Sequence, residues 1–187
     1  MLPTLRKHIS AIVSLSDEEF DVVSKHFTER KYRKHQYVIQ EGQVSPNEYF
    51  VIKGCLKAYF LDEKGKEHIL QFAVENWWIS DFNAYFKRVQ ATTYVECMED
   101  CVLLELTLDS REQLCSEMHK ISDFFRLQLT SGYTALQKRI QLSLSKNTKE
   151  RYEAFLRAYP TISQRIPKQL IASFLGVSRE TLSRLEI

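Results

Sequence analysis

Several kinds of residue are scarce in this chain, and each scarcity excludes a class of protein. Five glycines and four prolines in 187 residues are too few for a low-complexity or collagen-like protein. Four cysteines are too few for a disulfide scaffold of this length, so we expect a reducing compartment, the cytoplasm. No apolar run approaches the roughly 18–20 residues of a membrane span, and the N-terminus lacks the apolar core of a secretory signal. We therefore expect no membrane partner.

Charge is nearly balanced over the whole chain, at +2, but it is unevenly divided. Residues 118–187 contain twelve Lys and Arg against five Asp and Glu, a net charge of +7. Residues 1–117 contain fourteen against nineteen, a net charge of −5. This asymmetry favours an anionic partner for the C-terminal part, although a solvated basic helix surface would give the same counts.

The first two thirds of the chain have the pattern of short helices followed by short strands. Residues 1–27 are predicted to be helical, with Ser16 and Glu19 in the positions of a capping box. From about residue 37 onward, short β-type runs alternate with turns, and Gly65 lies in a predicted hairpin turn. Such a series predicts a small barrel or sandwich. The runs are YVIQ, EYFVIK, CLKAYFLD, HILQFAV, TTYVEC and CVLLELT.

A long helix is predicted after the strands. One apolar stripe extends along about seven turns of it, since apolar residues recur at helical spacing. The strand region is too small to cover such a stripe, so we predict a homodimer through a second copy of this helix; packing onto the same chain is the alternative. Asp109 is predicted to cap a short helix before it, and Asn147 another after it. The stripe consists of Met118, Ile121, Phe125, Leu129, Leu136, Ile140 and Leu144.

The last 22 residues, IPKQLIASFLGVSRETLSRLEI, predict two short helices joined by a tight turn. Pro167 suits the first position of a helix, and Gly176 can end that helix in the left-handed conformation. Ser178 then suits the N-cap of a second helix, whose inner face would carry Leu182 and Leu185. Two helices this close together form the pattern of a helix-turn-helix.

The outer face of the second predicted helix has the chemistry of base recognition. In helix-turn-helix proteins, the first residues of the second helix meet base edges in the major groove. Arginine binds guanine in a bidentate manner, and glutamate accepts a hydrogen bond from the cytosine amino group. An ordinary helical hairpin with a charged, solvated face is the alternative. The predicted DNA-binding residues are Arg179, Glu180, Ser183 and Arg184 on this face, together with Ser178, Lys168 and Gln169.

These residues also carry a resemblance to a known family. GVSRETLSRL resembles the recognition helix of the Crp/Fnr superfamily of bacterial transcription regulators, in which two arginines and a glutamate contact bases; they map onto Arg179, Glu180 and Arg184. EYFVIKGCLKAYFLDEKGKEHILQF is similar to the strands of the family's effector domain. LSKNTKERYEAFL is similar to its junction between the dimerisation helix and the DNA-binding domain.

The resemblance implies an α+β fold in three parts. Residues 1–117 would form a cyclic-nucleotide-binding-like effector domain, an antiparallel β-roll (a double-stranded β-helix) with flanking helices. Residues 118–146 would form a long dimerisation helix, and residues 147–187 a winged helix-turn-helix domain. Because the sequence stops at Ile187, we expect it to lack most or all of the wing.

In function, the resemblance implies a sequence-specific transcription regulator rather than an enzyme. Its expected partners are double-stranded DNA with a near-palindromic operator, a second copy of the chain, RNA polymerase and a small-molecule effector. One alternative is a ligand-binding or protein-interaction module that has lost DNA binding. Another is a cupin-like enzyme, but the His/Glu metal constellation that such an enzyme needs is missing from the sequence.

The chain departs from the family's cyclic-AMP-responsive members at the phosphate-binding cassette. Those members carry a Gly-Glu pair followed by an Arg-Ser dipeptide; here Ile79-Ser80-Asp81-Phe82 and Gln90-Ala91-Thr92-Thr93 take their places. With Ala91 at the place of the arginine, the phosphate loses its cationic partner, so we do not expect cyclic AMP to bind. Arg88 is a weak candidate to replace it. The candidate pocket for another effector consists of Ser80, Asp81, Thr92, Thr93 and Thr130.

No metal, iron–sulfur cluster or haem is expected. Oxygen-sensing members of the family hold an iron–sulfur cluster on N-terminal cysteines, and no cysteine precedes Cys55 here. Cys97 and Cys101 flank a predicted turn without further ligands nearby, so we interpret them as buried structural thiols. The five histidines are scattered along the chain and suggest no haem ligand.

Overall fold

A computed structural model describes residues 1–44 and 46–185. Two helices, α1 (Leu2–Ser10) and α2 (Asp17–Ser24), begin the chain, and Ser16 and Glu19 form the predicted capping box at α2. Strands and one short helix, α3 (Phe82–Lys87), follow. The strands are β1 (Thr28–Tyr32), β2 (Tyr37–Ile39), β3 (Glu48–Lys53), β4 (Leu56–Leu61), β5 (Glu67–Ala73), β6 (Trp78–Ile79), β7 (Tyr94–Cys97) and β8 (Cys101–Leu106).

The strands form two antiparallel four-stranded sheets that enclose one core. One sheet has the order β1-β8-β3-β6, and the other β2-β7-β4-β5. Buried residues from both sheets, including Val51, Leu56, Val95 and Leu103, fill the space between them. The predicted antiparallel β-roll with flanking helices is confirmed, and so is the β4–β5 hairpin, in which Gly65 has a φ of 73°.

Three elements of the roll were missed in the sequence. Strand β1 reads TERKY and has no apolar alternation; its register comes from pairing with β8. Strand β6 is only two residues long. Helix α3 begins because the Asp81 carboxylate accepts the N–H of Ala84 at 3.0 Å, and it ends at Arg88, which has a φ of 54°. The two strands depend on pairing that is distant along the chain, whereas the Asp81 cap of α3 is a local signal.

Helix α4 (Leu108–Glu117) leads into the long helix α5 (His119–Ser145). The predicted cap at Asp109 is wrong: Thr107 is the N-cap, and its hydroxyl accepts the N–H of Ser110 at 3.1 Å. The Asp109 carboxylate lies 2.7 Å from the Arg88 guanidinium instead. A threonine two residues earlier caps the helix equally well, because its side-chain oxygen accepts the same kind of orphan donor.

The two halves of α5 have different surroundings. Ile121, Phe124 and Phe125 are buried in a core formed with α1, α2 and the outer side of the first sheet. Beyond them the helix leaves that core, and six large apolar side chains are exposed. The predicted stripe is therefore covered by the chain itself only at its beginning. The exposed residues are Leu127, Leu129, Tyr133, Leu136, Ile140 and Leu144.

Four helices complete the described chain: α6 (Thr148–Ala158), α7 (Ile162–Arg165), α8 (Lys168–Leu175) and α9 (Arg179–Ser183). Asn147 and Glu150 form the predicted capping box at α6. Pro167 is the N-cap of α8, one residue before its predicted place. The prediction about the wing concerns residues from Ile187 onward, which lie outside the described residues.

The helical segment packs on the outer side of the second sheet. Phe155, Ile162 and Ile171 share a buried cluster with Tyr59 and Phe72 of the sheet. In the described part of the chain, no helix combines the length and apolar character needed to cross a membrane.

Candidate nucleic-acid interface

The connection between α8 and α9 is a tight turn built on a left-handed glycine. Gly176 has a φ of 69°, and its N–H and that of Val177 return to the carbonyls of Ser173 and Ala172. Ser178 then caps α9, since its hydroxyl accepts the N–H of Thr181 at 3.1 Å. Every backbone feature predicted for this turn is present, and it sets the two helices close together.

The inner faces of α8 and α9 are buried. Ile171, Ala172 and Leu182 are at most 2% exposed, and Leu185 is partly buried against the same cluster. The small side chain of Ala172 lets the two helices approach closely. Burial of these apolar groups fixes α9 on α8 and determines which side of α9 faces outward.

The outer face of α9 comprises Arg179, Glu180, Ser183 and Arg184, and all four are exposed. Within residues 1–44 and 46–185, neither arginine forms an ion pair with a carboxylate. The pKa of Glu180 is lowered, first by a hydrogen bond from its own backbone N–H and then by one from the Ser178 hydroxyl. These hydrogen bonds favour the ionised form of the glutamate, which is a hydrogen-bond acceptor.

A groove lies beside this face. Its volume is about 610 Å³, and four of its lining residues are among those predicted to bind DNA: Gln169, Ser178, Arg179 and Glu180. Lys168 is exposed next to Gln169 at the beginning of α8. The structure thus brings the two helix beginnings together along one groove. The opposite wall, formed by Lys66 and Glu67 at the start of β5, was not predicted.

Three side chains join this helical segment to the β-roll. The Ser173 hydroxyl donates to the Glu67 carbonyl at 2.8 Å. The Arg165 guanidinium lies 2.8 Å from the Glu75 carboxylate and also pairs with Glu99, and these hydrogen bonds raise the pKa of Arg165. The Arg139 guanidinium, on α5, is 4.6 Å from the centre of the Phe174 ring and donates to the carbonyl of Leu70.

The predicted effector pocket is occupied by the chain's own hydrogen bonds. The buried Asp81 carboxylate accepts the N–H groups of Ala84, Thr92 and Thr93 at 3.0, 2.9 and 3.1 Å, and the Thr93 hydroxyl at 3.0 Å. The Ser80 hydroxyl donates to the Asn47 carbonyl. We call Asp81 with these donors the carboxylate site. Burial acts to raise the pKa of Asp81, but the hydrogen bonds together outweigh it and the pKa is lowered.

The other residues considered for an effector lie elsewhere. Ala91 is buried in the roll. Arg88 does not take the place of the cassette arginine, because its guanidinium pairs with Asp109 and Glu112 at 2.7 and 3.0 Å. Thr130 is exposed on α5 and donates to the carbonyl of Arg126.

The cysteines are free thiols, and Cys55, Cys97 and Cys101 are buried. Burial raises the pKa of Cys55 to about 12, so this thiol stays protonated. Among the described residues, no group of three or more His, Cys, Asp or Glu side chains is arranged to hold a metal ion.

Comparison with known proteins agrees with this architecture. The family model of the cyclic nucleotide-binding domain matches residues 29–118. The chain is 24% identical to the anaerobic regulatory protein of Haemophilus influenzae over 184 residues, covering 92% of this chain and 71% of that protein. It is also 24% identical to the cAMP-activated global transcriptional regulator CRP of Salmonella typhimurium over 168 residues, covering 83% and 79%.

Among solved structures, FixK2 from Bradyrhizobium japonicum has a similar fold, with a TM-score of 0.74 and 19% sequence identity over 84% of this chain and 81% of that one. The resemblance to Crp/Fnr regulators inferred from the sequence is confirmed. The named relatives are regulatory proteins and not enzymes, in agreement with the sequence.

Proposed function

We propose that the protein is a homodimeric, sequence-specific DNA-binding transcription regulator. The premise is that residues 29–118 belong to the cyclic nucleotide-binding domain family, in a chain related to the Crp/Fnr regulators. Its β-roll responds to a signal other than cyclic AMP. We expect it to act in the cytoplasm, on promoter DNA and with RNA polymerase.

The outer face of α9 is the observation that carries this proposal. Leu182 is buried beneath it, so the helix cannot turn Arg179, Glu180 and Arg184 inward without exposing its apolar side. Among the described residues, these exposed arginines have no carboxylate partner, so their donors are available for guanine, and an ionised glutamate suits the cytosine amino group. Arg179 and Glu180 are the groups that a major-groove reader needs at the beginning of its second helix, and Arg184 follows at the end of the same helix.

Selection of binding sites from random double-stranded DNA tests base recognition. We expect the wild-type protein to enrich a near-palindrome whose half-sites are about one helical turn apart. Arg184→Ala should relax the preference at one guanine of each half-site, whereas Lys168→Ala should weaken binding to all sequences alike. Failure of the wild type to enrich any sequence would favour a module that does not bind DNA.

The exposed part of α5 supports the dimer. Leu129 and Leu136 lie two turns apart on one apolar stripe, and they are 43% and 49% exposed. A monomer rarely leaves a stripe of this length in water, and a second copy of the same helix would cover it by symmetric packing. The occupant we propose is therefore the α5 helix of a partner chain.

Sedimentation of two matched variants tests the dimer. Leu136→Glu places a charge within the apolar stripe and should give monomers at tens of micromolar, where the wild type is dimeric. Ser131→Glu adds the same charge at an exposed position away from the stripe and should leave the dimer intact. A monomeric wild type, or equal behaviour of the two variants, would contradict the proposed interface.

The carboxylate site supports a signal other than cyclic AMP. Backbone N–H groups of Thr92 and Thr93 already bind a carboxylate, and a phosphate entering there would meet the like charge of Asp81. Titration calorimetry of the wild-type protein with cyclic AMP should give no binding at micromolar concentrations. A micromolar dissociation constant would overturn this part of the proposal.

A further inference from the structure

The turn of the β4–β5 hairpin, residues 62–66, lies beside α9. Lys66 and Glu67 form one wall of the groove whose other wall includes Gln169, Ser178 and Arg179. The hairpin belongs to the β-roll and would have no part in DNA binding if the helix-turn-helix acted alone. Its position makes it a neighbour of any duplex that α9 contacts.

The β4–β5 hairpin is fixed in its position beside α9 by contacts with α8. The hydrogen bond from the Ser173 hydroxyl reaches the carbonyl of Glu67, one residue after Lys66. Further along β5, the rings of Phe72 and Phe174 pack with their centres 5.4 Å apart. The beginning of β5 and helix α8 are therefore joined by polar and apolar contacts, so Lys66 keeps a defined distance from α9.

The turn itself is rigid. The Asp62 carboxylate accepts the N–H groups of Lys64 and Lys66 at 2.9 and 3.0 Å, and its other oxygen lies 2.8 Å from His68 Nε2. Gly65, with its positive φ, completes the turn. The turn closes on the Asp62 side chain through the backbone of the two lysines, and both lysine side chains are exposed.

Charge pairing leaves the lysines of the hairpin available. Asp62 contacts His68, and Glu67 lies 2.6 Å from the buried ammonium of Lys57. In the part of the chain that the structure describes, Lys64 and Lys66 form no ion pair. Two of the hairpin's three acidic residues thus have hydrogen-bonding partners, and the third, Glu63, is exposed.

We propose that the β4–β5 hairpin is a second DNA-contacting element, in which Lys64 and Lys66 bind backbone phosphates beside the base pairs that α9 contacts. This inference rests on the proposed function. The major groove is about 12 Å wide and bounded by phosphates on both sides, so a duplex that accepts Arg179 brings a backbone to the groove beside α9. The Lys66 ammonium on one wall, with Gln169 and Ser178 on the other, suits that backbone, and Lys64 is exposed two residues away on the same turn.

The test compares two double variants in fluorescence anisotropy with labelled duplexes of random sequence, about 40 base pairs long so that both half-sites are spanned. Lys64→Gln/Lys66→Gln removes the hairpin charges. The control, Lys25→Gln/Lys87→Gln, removes the same net charge at the C-terminal ends of α2 and α3, which pack against the first sheet. Affinity is measured over a range of salt concentrations.

The hairpin variant should bind all sequences more weakly, and the slope of log K against log salt should flatten by about 0.9 for each phosphate that is no longer neutralised, while the control changes little. Thermal unfolding should be the same in both variants. Equal salt slopes, or tighter binding by the hairpin variant, would overturn this inference. If the wild type binds no duplex at all, the proposed function itself fails.

Discussion

The outer face of α9 and the carboxylate site of the β-roll were both predicted to bind a partner, and the structure gives them opposite characters. On α9 the polar side chains are exposed, and its arginines have no carboxylate partner among the described residues. At the carboxylate site, Asp81 is buried and accepts hydrogen bonds from three backbone N–H groups and from two threonine hydroxyls. The polar groups on α9 are therefore available to a partner, whereas those at the carboxylate site are bonded to each other within the chain.

This difference separates binding from stability. Removing a side chain from an exposed and unpartnered face alters little in the folded state, but it removes an interaction with an incoming ligand. Removing the acceptor at a buried site leaves several donors without a partner, and this lowers the free energy of unfolding. Substitutions at the two places should therefore affect different measurements.

The largest effect is expected for Asp81→Ala. The buried N–H groups of Ala84 and Thr93 and the part-buried N–H of Thr92 would lose their acceptor, and helix α3 would lose its cap. We expect the free energy of unfolding to fall by about 3 kcal/mol or more, since each orphaned buried donor costs about 1–3 kcal/mol. Urea denaturation measures this loss. A change below about 0.5 kcal/mol, as is usual for exposed sites, would remove the contrast between the two regions.

The contribution of the Asp81 carboxylate to stability should also depend on pH. The pKa of Asp81 is lowered in the folded protein, so its ionised form stabilises the fold at every pH above its ordinary value of about 3.9. That contribution is lost as the pH falls through the lower, folded-state pKa. Asp81→Asn cannot lose a charge there, so its stability should decline less than that of the wild type below about pH 4. Parallel declines would show that Asp81 does not cause the acid sensitivity.

A smaller effect is expected for Arg179→Ala, and it should appear in DNA affinity instead of stability. Affinity for the selected DNA should fall by about 1–3 kcal/mol for each half-site, because the arginine no longer binds its base. Stability should stay within about 0.5 kcal/mol of the wild type, since the side chain is exposed. Anisotropy titration and urea denaturation of the same preparation give both quantities. A large loss of stability would place Arg179 in the fold instead of at the DNA.

The smallest effect is expected for Ser178→Ala. This substitution can lower both the stability of the fold and the affinity for DNA. The hydroxyl caps α9 and was also predicted to contact DNA. Loss of the cap should cost about 1 kcal/mol of stability, and Ser178→Asn, which keeps an N-cap acceptor, should restore it. If DNA affinity falls in both variants while stability recovers in the second, the serine contacts DNA in its own right. Recovery of both would make it a cap alone.

Local sequence patterns predicted most of the fold because they encode local structure. The capping boxes at Ser16 and Asn147 and the glycines of two turns, Gly65 and Gly176, each act within a few residues. The outer face of α9 was predictable for the same reason, since helical periodicity places Glu180 and Arg184 on the side away from Leu182. The position of β1, which pairs with β8, had no such local signal.

What could not be predicted depends on tertiary contacts. Ala91 in the cassette indicated that the phosphate's partner was missing, but not that Asp81 would accept the N–H groups of Thr92 and Thr93 from a separate loop. Nor did the sequence indicate that Ser173 would meet Glu67, which brings the hairpin beside α9. Side chains on exposed faces follow from periodicity, whereas the partners of buried polar groups follow from how the elements pack.

The order of strands in the two sheets has a consequence for synthesis of the chain on the ribosome. Among the described strands, only β4 and β5 are neighbours both along the chain and in a sheet, whereas Tyr32 of β1 pairs with Cys101 of β8. A nascent chain can close the β4–β5 hairpin early, and β3 can pair with the two-residue strand β6. Strands β1 and β2 must wait for β8 and β7, and such distant closures are slow. During that interval the apolar strand EYFVIK lacks its β8 partner. We expect this interval, rather than any later step, to be the time when the chain most needs a chaperone.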